Sequence, residues 1–177
     1  HDATRGGGIE TYDAQSTTNT STLVDFQHAD TLWDITNSNR DEVAIDAHWG
    51  AEMTYDYYLD KHNRDSYDNQ GTVILSFVHY GLNVSNAYWS GDRMQYGDGS
   101  VNGNPYLSID IAGHEITHGV TQNSAGLIYQ GESGALNESF SDVFGNTIEY
   151  FADSARAQWL MGEQCSNIIR NMANPND

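Results

Sequence analysis

An α+β fold, with a twisted and mostly antiparallel sheet packed on two long helices, is predicted by three observations. Apolar and small residues recur at three- and four-residue steps over long stretches. Short β-branched and aromatic runs of strand length lie between those stretches. Clusters rich in Gly, Asn, Asp and Ser separate the two kinds. The 177 residues suffice for one core, so residues 1–177 are read as a single domain.

The first forty residues are rich in Gly, Thr, Ser, Asn and Asp and read as turns, apart from a short strand over Gly8–Tyr12. From Asp46 to Asn63 the spacing of Ala47, Ala51, Thr54, Tyr55, Tyr58 and Leu59 predicts a helix. Asn69-Gln70-Gly71 is a turn, Thr72–Tyr80 a strand, and Asn86–Trp89 a second, edge-like strand. Gly91–Pro105 is glycine-rich and reads as a loop, whose Asp92 and Asp98 are candidates to hold a cation. Ile109–Val120 predicts a buried helix. Gly131–Gly134 reads as a break. Ala135–Ala152 predicts a second long helix with Leu136, Phe140, Val143, Phe144, Thr147, Ile148 and Phe151 on its apolar side. A last helical stretch is expected over Ser166–Met172, ending before Pro175.

Charge excludes some functions. With 25 acids against 7 Lys and Arg, the net charge is −18. Nothing here neutralises a row of phosphates, so nucleic acid and anionic membrane are excluded as partners. The aromatic content, 4 Trp, 11 Tyr and 5 Phe, argues for a folded chain rather than a disordered acidic one. No apolar run reaches the length of a membrane span or resembles a signal peptide. The single cysteine, Cys165, precludes an internal disulfide. Its neighbour Glu163 disfavours a thiolate, so it reads as structural, or as a pairing residue for a further segment.

The chemistry is carried by His114-Glu115-Ile116-Thr117-His118. On a helix, residues four apart lie about 40° apart around the axis and ~6 Å along it. Two imidazoles so placed can close on one tetrahedral zinc ion, and Glu115 then points beside the metal, where it can take a proton from water. Ile109, Ile111, Ala112, Ile116 and Val120 seat that helix in a core. On the next helix, Glu138 and Asp142 stand four residues apart. Glu138 can supply the third, anionic ligand. Asp142 can accept a hydrogen bond from a ligand imidazole and so set its tautomer. Two His and one Glu leave a fourth zinc position open, the mark of a catalytic site.

These motifs, together with several further segments, resemble the thermolysin family of neutral zinc metallopeptidases. The segments are Thr4-Arg5-Gly6 with Ile9–Ala14, Asp46-Ala47-His48, Thr54–Tyr58 with His62-Asn63-Arg64, Asn86–Trp89, Tyr96-Gly97-Asp98-Gly99, and Ala125–Gln130. They run in order through nearly the whole chain. The resemblance implies the N-terminal metallopeptidase domain of a secreted endopeptidase that cuts on the amino side of apolar residues. It implies that Tyr129 stabilises the tetrahedral intermediate, that Asn86 and Ala87 bind the substrate backbone, that Trp89 lines the cleft, and that Arg170 contacts a substrate carbonyl. Ile111 and Ile169 then wall an apolar pocket. The resemblance also implies structural calcium on Asp110, Glu149 and Glu163. The segment after Glu149 is one residue short of the family pattern, and Gln158 and Leu160 stand where acids are expected, so one calcium is expected rather than two.

The family's mature protein has additional strands before the segment matching His1–Ala14 and a helical domain after Pro175. The resemblance therefore implies a chain truncated at both ends. That domain supplies an oxyanion-stabilising histidine for which His1, His28, His48, His62 and His79 are no match. The favoured expectation is a zinc-dependent endopeptidase with Glu115 as general base. The alternative is a non-catalytic zinc- and calcium-binding fragment that needs a second domain or chain for turnover. A third reading, a zinc hydrolase of another substrate class, is disfavoured by the peptide-binding Asn86-Ala87 segment.

Overall fold

The computed structural model describes residues 1–27, 40–100, 104–165, 168–174 and 176. His28 lies outside them, as do Ser166, Asn167 and Pro175. The class is α+β. Strands β1 (Ile9–Asp13), β2 (Val24–Asp25), β3 (Ile74–Val78), β4 (Ala87–Trp89) and β5 (Arg93–Tyr96) form one sheet in the order β2-β1-β3-β5-β4. The sheet is not mostly antiparallel as expected, since its pairings divide evenly: β1–β2 and β4–β5 are antiparallel, whereas β1–β3 and β3–β5 are parallel, the long connection through the Glu42–His62 helix letting β3 run alongside β1. The glycine-rich stretch expected to be all loop thus contains β5. Its alternating Met94 and Tyr96 are fully buried, and the flanking glycines concealed so short a strand. Among the described residues β4 is an edge strand, as its sequence suggests, with β5 as its one partner.

Helix α1 (Glu42–His62) buries Val43, Ala44, Ala47, Gly50, Ala51, Thr54, Tyr55, Tyr57 and Tyr58, one stripe at three- and four-residue spacing. Leu59, expected on that stripe, is exposed. The helix stops at Asn63, whose left-handed backbone (φ 50°) returns its amide to the Leu59 carbonyl. Helix α2 (Ile109–Gln122) is buried nearly all round, because the sheet, α1 and α3 (Gly131–Ala152) all pack on it. Tyr58 and Thr117 hydroxyls meet at 2.8 Å between α1 and α2. The Arg5 guanidinium grips Asp56 through two bonds of 2.8 Å and also reaches Asp2 and Glu52, pinning the N-terminal segment to α1.

Three further expectations fail in whole or in part. Gly131–Gly134 is not a break but the first turn of α3, with Gly131 supplying the positive φ (58°) at its start. Ile168–Met172 is not helical: Arg170–Asn171 is strand β7, antiparallel to β6 (Leu160–Met161). The apolar stripe of α3 faces the core only in part: Ile148 is fully buried and Phe144 packs against Tyr57 and Tyr58. Leu136, Phe140, Val143 and Phe151 are exposed, whereas Gly134, Asn137, Ser141, Asp142, Gly145, Asn146, Ile148 and Glu149 are buried. Polar and small residues face α2 because that is where the chemistry and the close approach lie.

Candidate metal centre and substrate cleft

Two glycines bring α2 and α3 together. A Cβ at Gly113 would meet Gly145 Cα at 3.2 Å, and one at Gly145 would lie 2.4 Å from the Asp110 carbonyl oxygen. Backbone contact this close aims α2 side chains directly at those of α3. His114 Nε2 and His118 Nε2 are 3.0 Å apart. Glu138 places Oε2 3.4 Å from the first and Oε1 3.4 Å from the second. A tetrahedral zinc with bonds of ~2.0–2.1 Å has ligand–ligand edges of about 3.3 Å. The three donors therefore fit the ion.

The tautomers fit as well. The Asn137 amide is oriented by its Nδ2 donating to the Leu127 carbonyl, which turns Oδ1 toward His118 Nδ1 at 2.7 Å. That nitrogen must carry the proton, which leaves Nε2 its lone pair. Ser141 Oγ stands 3.1 Å from the same nitrogen. Asp142 Oδ1 lies 2.8 Å from His114 Nδ1 and also accepts from Arg170 Nη2 at 2.6 Å. Two lone pairs facing each other at 3.0 Å repel unless a cation or a proton stands between them. Burial pushes the His114 pKa down, but Asp142, Glu138 and Glu115 outweigh it and take it up to about 9. Positive charge is thus favoured at this point. Glu138 is held well below the usual carboxylate range by His114 and His118.

Glu115 is buried beside these donors, and its pKa is raised mainly by that burial; the Trp89 backbone amide donates to it. The Tyr129 hydroxyl donates to Glu138, which pushes the phenol up to about 12, and its ring meets His118 edge-on at 5.8 Å. All of these line one open cleft of about 710 Å³, together with Asn86, Ala87, Trp89, Ile111, Met161, Ile169 and Arg170. The free edge of β4 runs along it. Every zinc, base and substrate residue expected from sequence thus lies at the cleft, with Asp142 directly behind His114. Sequence reasoning missed Asn137, Ser141 and Met161. Asn137 and Ser141 share with Glu138 the turns of α3 that face the imidazoles, but residue order alone does not mark that side as the covered one.

The proposed calcium residues gather elsewhere, behind α2. Asp110, Glu149 and Glu163 are close enough to raise the Glu149 pKa to about 7, burial first and then the charges of Asp110 and Glu163. Glu149 Oε2 and both Glu163 carboxylate oxygens are buried without a partner. Asp110 is more fully engaged, by Ser108 Oγ and the amides of Ile111 and Gly162. In the glycine-rich stretch, Asp92 pairs with Arg93 and Asp98 with His79. Cys165 has its thiol pKa raised by burial, as expected of an unreactive cysteine.

Two family profiles cover the chain. Residues 1–122 match the catalytic domain of thermolysin metallopeptidases and residues 125–177 match their alpha-helical domain. The chain belongs to the thermolysin metallopeptidase family. Across 98% of its length it is 45% identical to a bacillolysin of Bacillus cereus, and likewise 47% to a bacillolysin of Brevibacillus brevis and 42% to a thermolysin of Bacillus sp. (strain EA1). It spans about a third of each of those relatives, 31%, 32% and 32%. Among solved structures, the protealysin precursor, a metalloproteinase from Serratia proteamaculans, is 38% identical with a TM-score of 0.74, over 89% of this chain and 48% of that one. The two profiles meet between α2 and α3, so the metal centre is built across that junction.

Proposed function

We infer that this chain carries the zinc site, general base and much of the substrate cleft of an extracellular endopeptidase. The observation that carries the reading is the triangle of donor atoms on His114, His118 and Glu138 with buried Glu115 beside it. A zinc ion held there supplies Lewis acidity toward water and a peptide carbonyl. The chain's own groups do the rest. Glu115, its carboxylate steadied by the Trp89 amide, accepts the proton of the attacking water and passes it to the leaving nitrogen. Tyr129 and Arg170 stand at the cleft with donors for the developing oxyanion and a substrate carbonyl. Asn86 and Ala87, at the free edge of β4, pair with an extended peptide. Ile111, Met161 and Ile169 form an apolar wall that suits an apolar residue after the scissile bond. Asp110, Glu149 and Glu163 hold one calcium ion, whose charge offsets the unpartnered carboxylate oxygens.

A second reading is favoured by one observation, the exposed apolar stripe of α3. In this reading the chain holds its metals but turns over only when a further helical domain or a second chain covers that stripe and closes the cleft. Zinc content and cleavage of apolar peptides, measured together in calcium buffer, separate the two. One equivalent of zinc with chelator-sensitive cleavage supports the first, and zinc without cleavage the second. Absence of zinc overturns both. Glu115→Gln retains zinc and lowers turnover by roughly 10²- to 10⁴-fold; normal cleavage by that variant removes the general-base assignment.

A further inference from the structure

We propose that Gln122 is a positioning residue that clamps the substrate-binding edge strand β4 to the metal-bearing helix α2. Its side chain makes two bonds at once. Oε1 accepts from the Trp89 indole Nε1–H at 3.0 Å, and Nε2 donates to the Gly91 carbonyl at 3.2 Å. Both targets lie on the β4–β5 hairpin, one on the last residue of β4 and one in the turn beyond it. A primary amide offers an acceptor and a donor side by side on one planar group, which both bonds use. A carboxylate keeps the indole bond but repels the carbonyl.

The indole is seated as well as tethered. A Cβ at Gly119 would stand 2.6 Å from Trp89 Cζ2, so this turn of α2 takes the flat ring against bare backbone. Tyr67 closes the opposite side edge-on, with ring centroids 4.8 Å apart. Among the described residues β4 pairs with β5 alone, and at the hairpin tip Gly91 has φ 94° with open space where a side chain would stand. An edge of three residues needs an external tie to hold its register against the metal site. Two stitches supply it. One is the attraction between the Trp89 amide and the Glu115 carboxylate, in the middle of α2. The other is Gln122, at its end. With Gln122 removed the first stitch persists, so the loss falls on peptide alignment more than on the proton-transfer step.

The inference rests on the peptidase reading above, and its test is read partly without turnover. In the zinc-loaded chain, the Trp89 indole N–H resonance is assigned by its absence in Trp89→Phe. Its hydrogen exchange speeds up about tenfold in Gln122→Ala, as loss of a neutral bond predicts. The dissociation constant of an extended apolar hexapeptide, read by tryptophan fluorescence, rises about fivefold in the same variant. KM rises with it, while kcat falls by less than twofold and zinc content is unchanged. Gln122→Glu, which keeps the indole acceptor, restores slow exchange and part of the affinity. Gln122 is exposed at a helix end, so both variants fold. Unchanged exchange or unchanged peptide affinity in Gln122→Ala overturns the clamp, as does a Gln122→Glu variant indistinguishable from it. A wild-type chain that binds zinc but cleaves nothing removes the catalytic reading alone; exchange and peptide affinity still decide the clamp.

Discussion

Asn137 shows how much of the proposed metal site rests on residues that would not touch the metal. Its amide is fixed by the Leu127 carbonyl, and it in turn fixes the proton on His118 Nδ1. Asn137→Ala leaves the imidazole free to rotate and to change tautomer. Zinc affinity should fall by roughly 10- to 100-fold, measured by competition with a chromophoric chelator. An unchanged affinity means that Ser141, 3.1 Å away, suffices alone. Asp142 carries a double load, because it accepts from Arg170 and pairs with His114. Asp142→Asn weakens both contacts, so zinc affinity and peptide affinity should fall together. A variant that loses one and keeps the other separates the two roles. His114, Glu115 and His118, and the pair Glu138 and Asp142, were legible as candidates from spacing, since a helix of known pitch places i and i+4 on one face. Asn137 was not, because nothing local distinguishes a helix Asn facing an imidazole from one facing solvent.

At the scale of elements, the α2–α3 crossing decides whether the ligands meet. Alanine normally stabilises a helix interior by about 1 kcal/mol over glycine. At Gly145 the sign should reverse, because the added carbon would stand 2.4 Å from the Asp110 carbonyl oxygen and 3.2 Å from the His114 nitrogen, both backbone atoms. Gly145→Ala forces the helices apart. We expect a loss of about 1–3 kcal/mol in urea unfolding, with a parallel loss of zinc. A neutral or stabilising result means that the crossing tolerates a wider spacing. The periodicity of α3 indicated a helix correctly but placed its buried side right only in part. Hydrophobic pattern assumes that the apolar stripe is the covered one, and here the covered stripe is Gly, Asn, Ser and carboxylate. The mistaken helix over Ser166–Met172 has a related cause, since Ile168 and Ile169 at its centre lead into a two-residue strand too short for any periodicity to register.

For the whole molecule, the acid balance and the bare α3 stripe set the behaviour in solution. Glu149 has its pKa raised to about 7 from 4.5, so the folded chain holds a proton there that the unfolded chain releases earlier. Stability from this group is fully present below pH 4.5 and is lost as pH rises through about 7. In the proposed site a calcium ion would take the place of that proton. Melting temperature in chelator should therefore fall between pH 5 and pH 8, and millimolar calcium should restore it at the upper end. Glu149→Gln should abolish the pH step. A step of the same size in that variant assigns it to another group. The stripe of Leu136, Phe140, Val143 and Phe151 should drive the chain to self-associate. Size-exclusion chromatography should show a species larger than the monomer, and Phe140→Ser with Val143→Ser should return it to the monomer. A wild-type monomer at high concentration would mean that the stripe is too broken to associate. Among the described residues no helix is long and apolar enough to cross a membrane.

The chain by itself determined the chemistry. Ligand spacing on a helix is a local property, so His114, Glu115, His118, Glu138 and the edge strand at Asn86–Trp89 could be named from residue order. The strand Thr72–Tyr80 and the helix ending at Asn63 were likewise local, written in β-branched runs and turn residues. Tertiary structure alone decided what depends on two segments meeting. It paired β1, β3 and β5 in parallel, turned the polar side of α3 inward, gathered Asp110, Glu149 and Glu163 behind α2, and placed Gln122 against Trp89. The physical reason is range. Periodicity and capping act within a few residues, whereas close approach at Gly113 and Gly145, and the charges buried around it, exist only once segments far apart in sequence share one space.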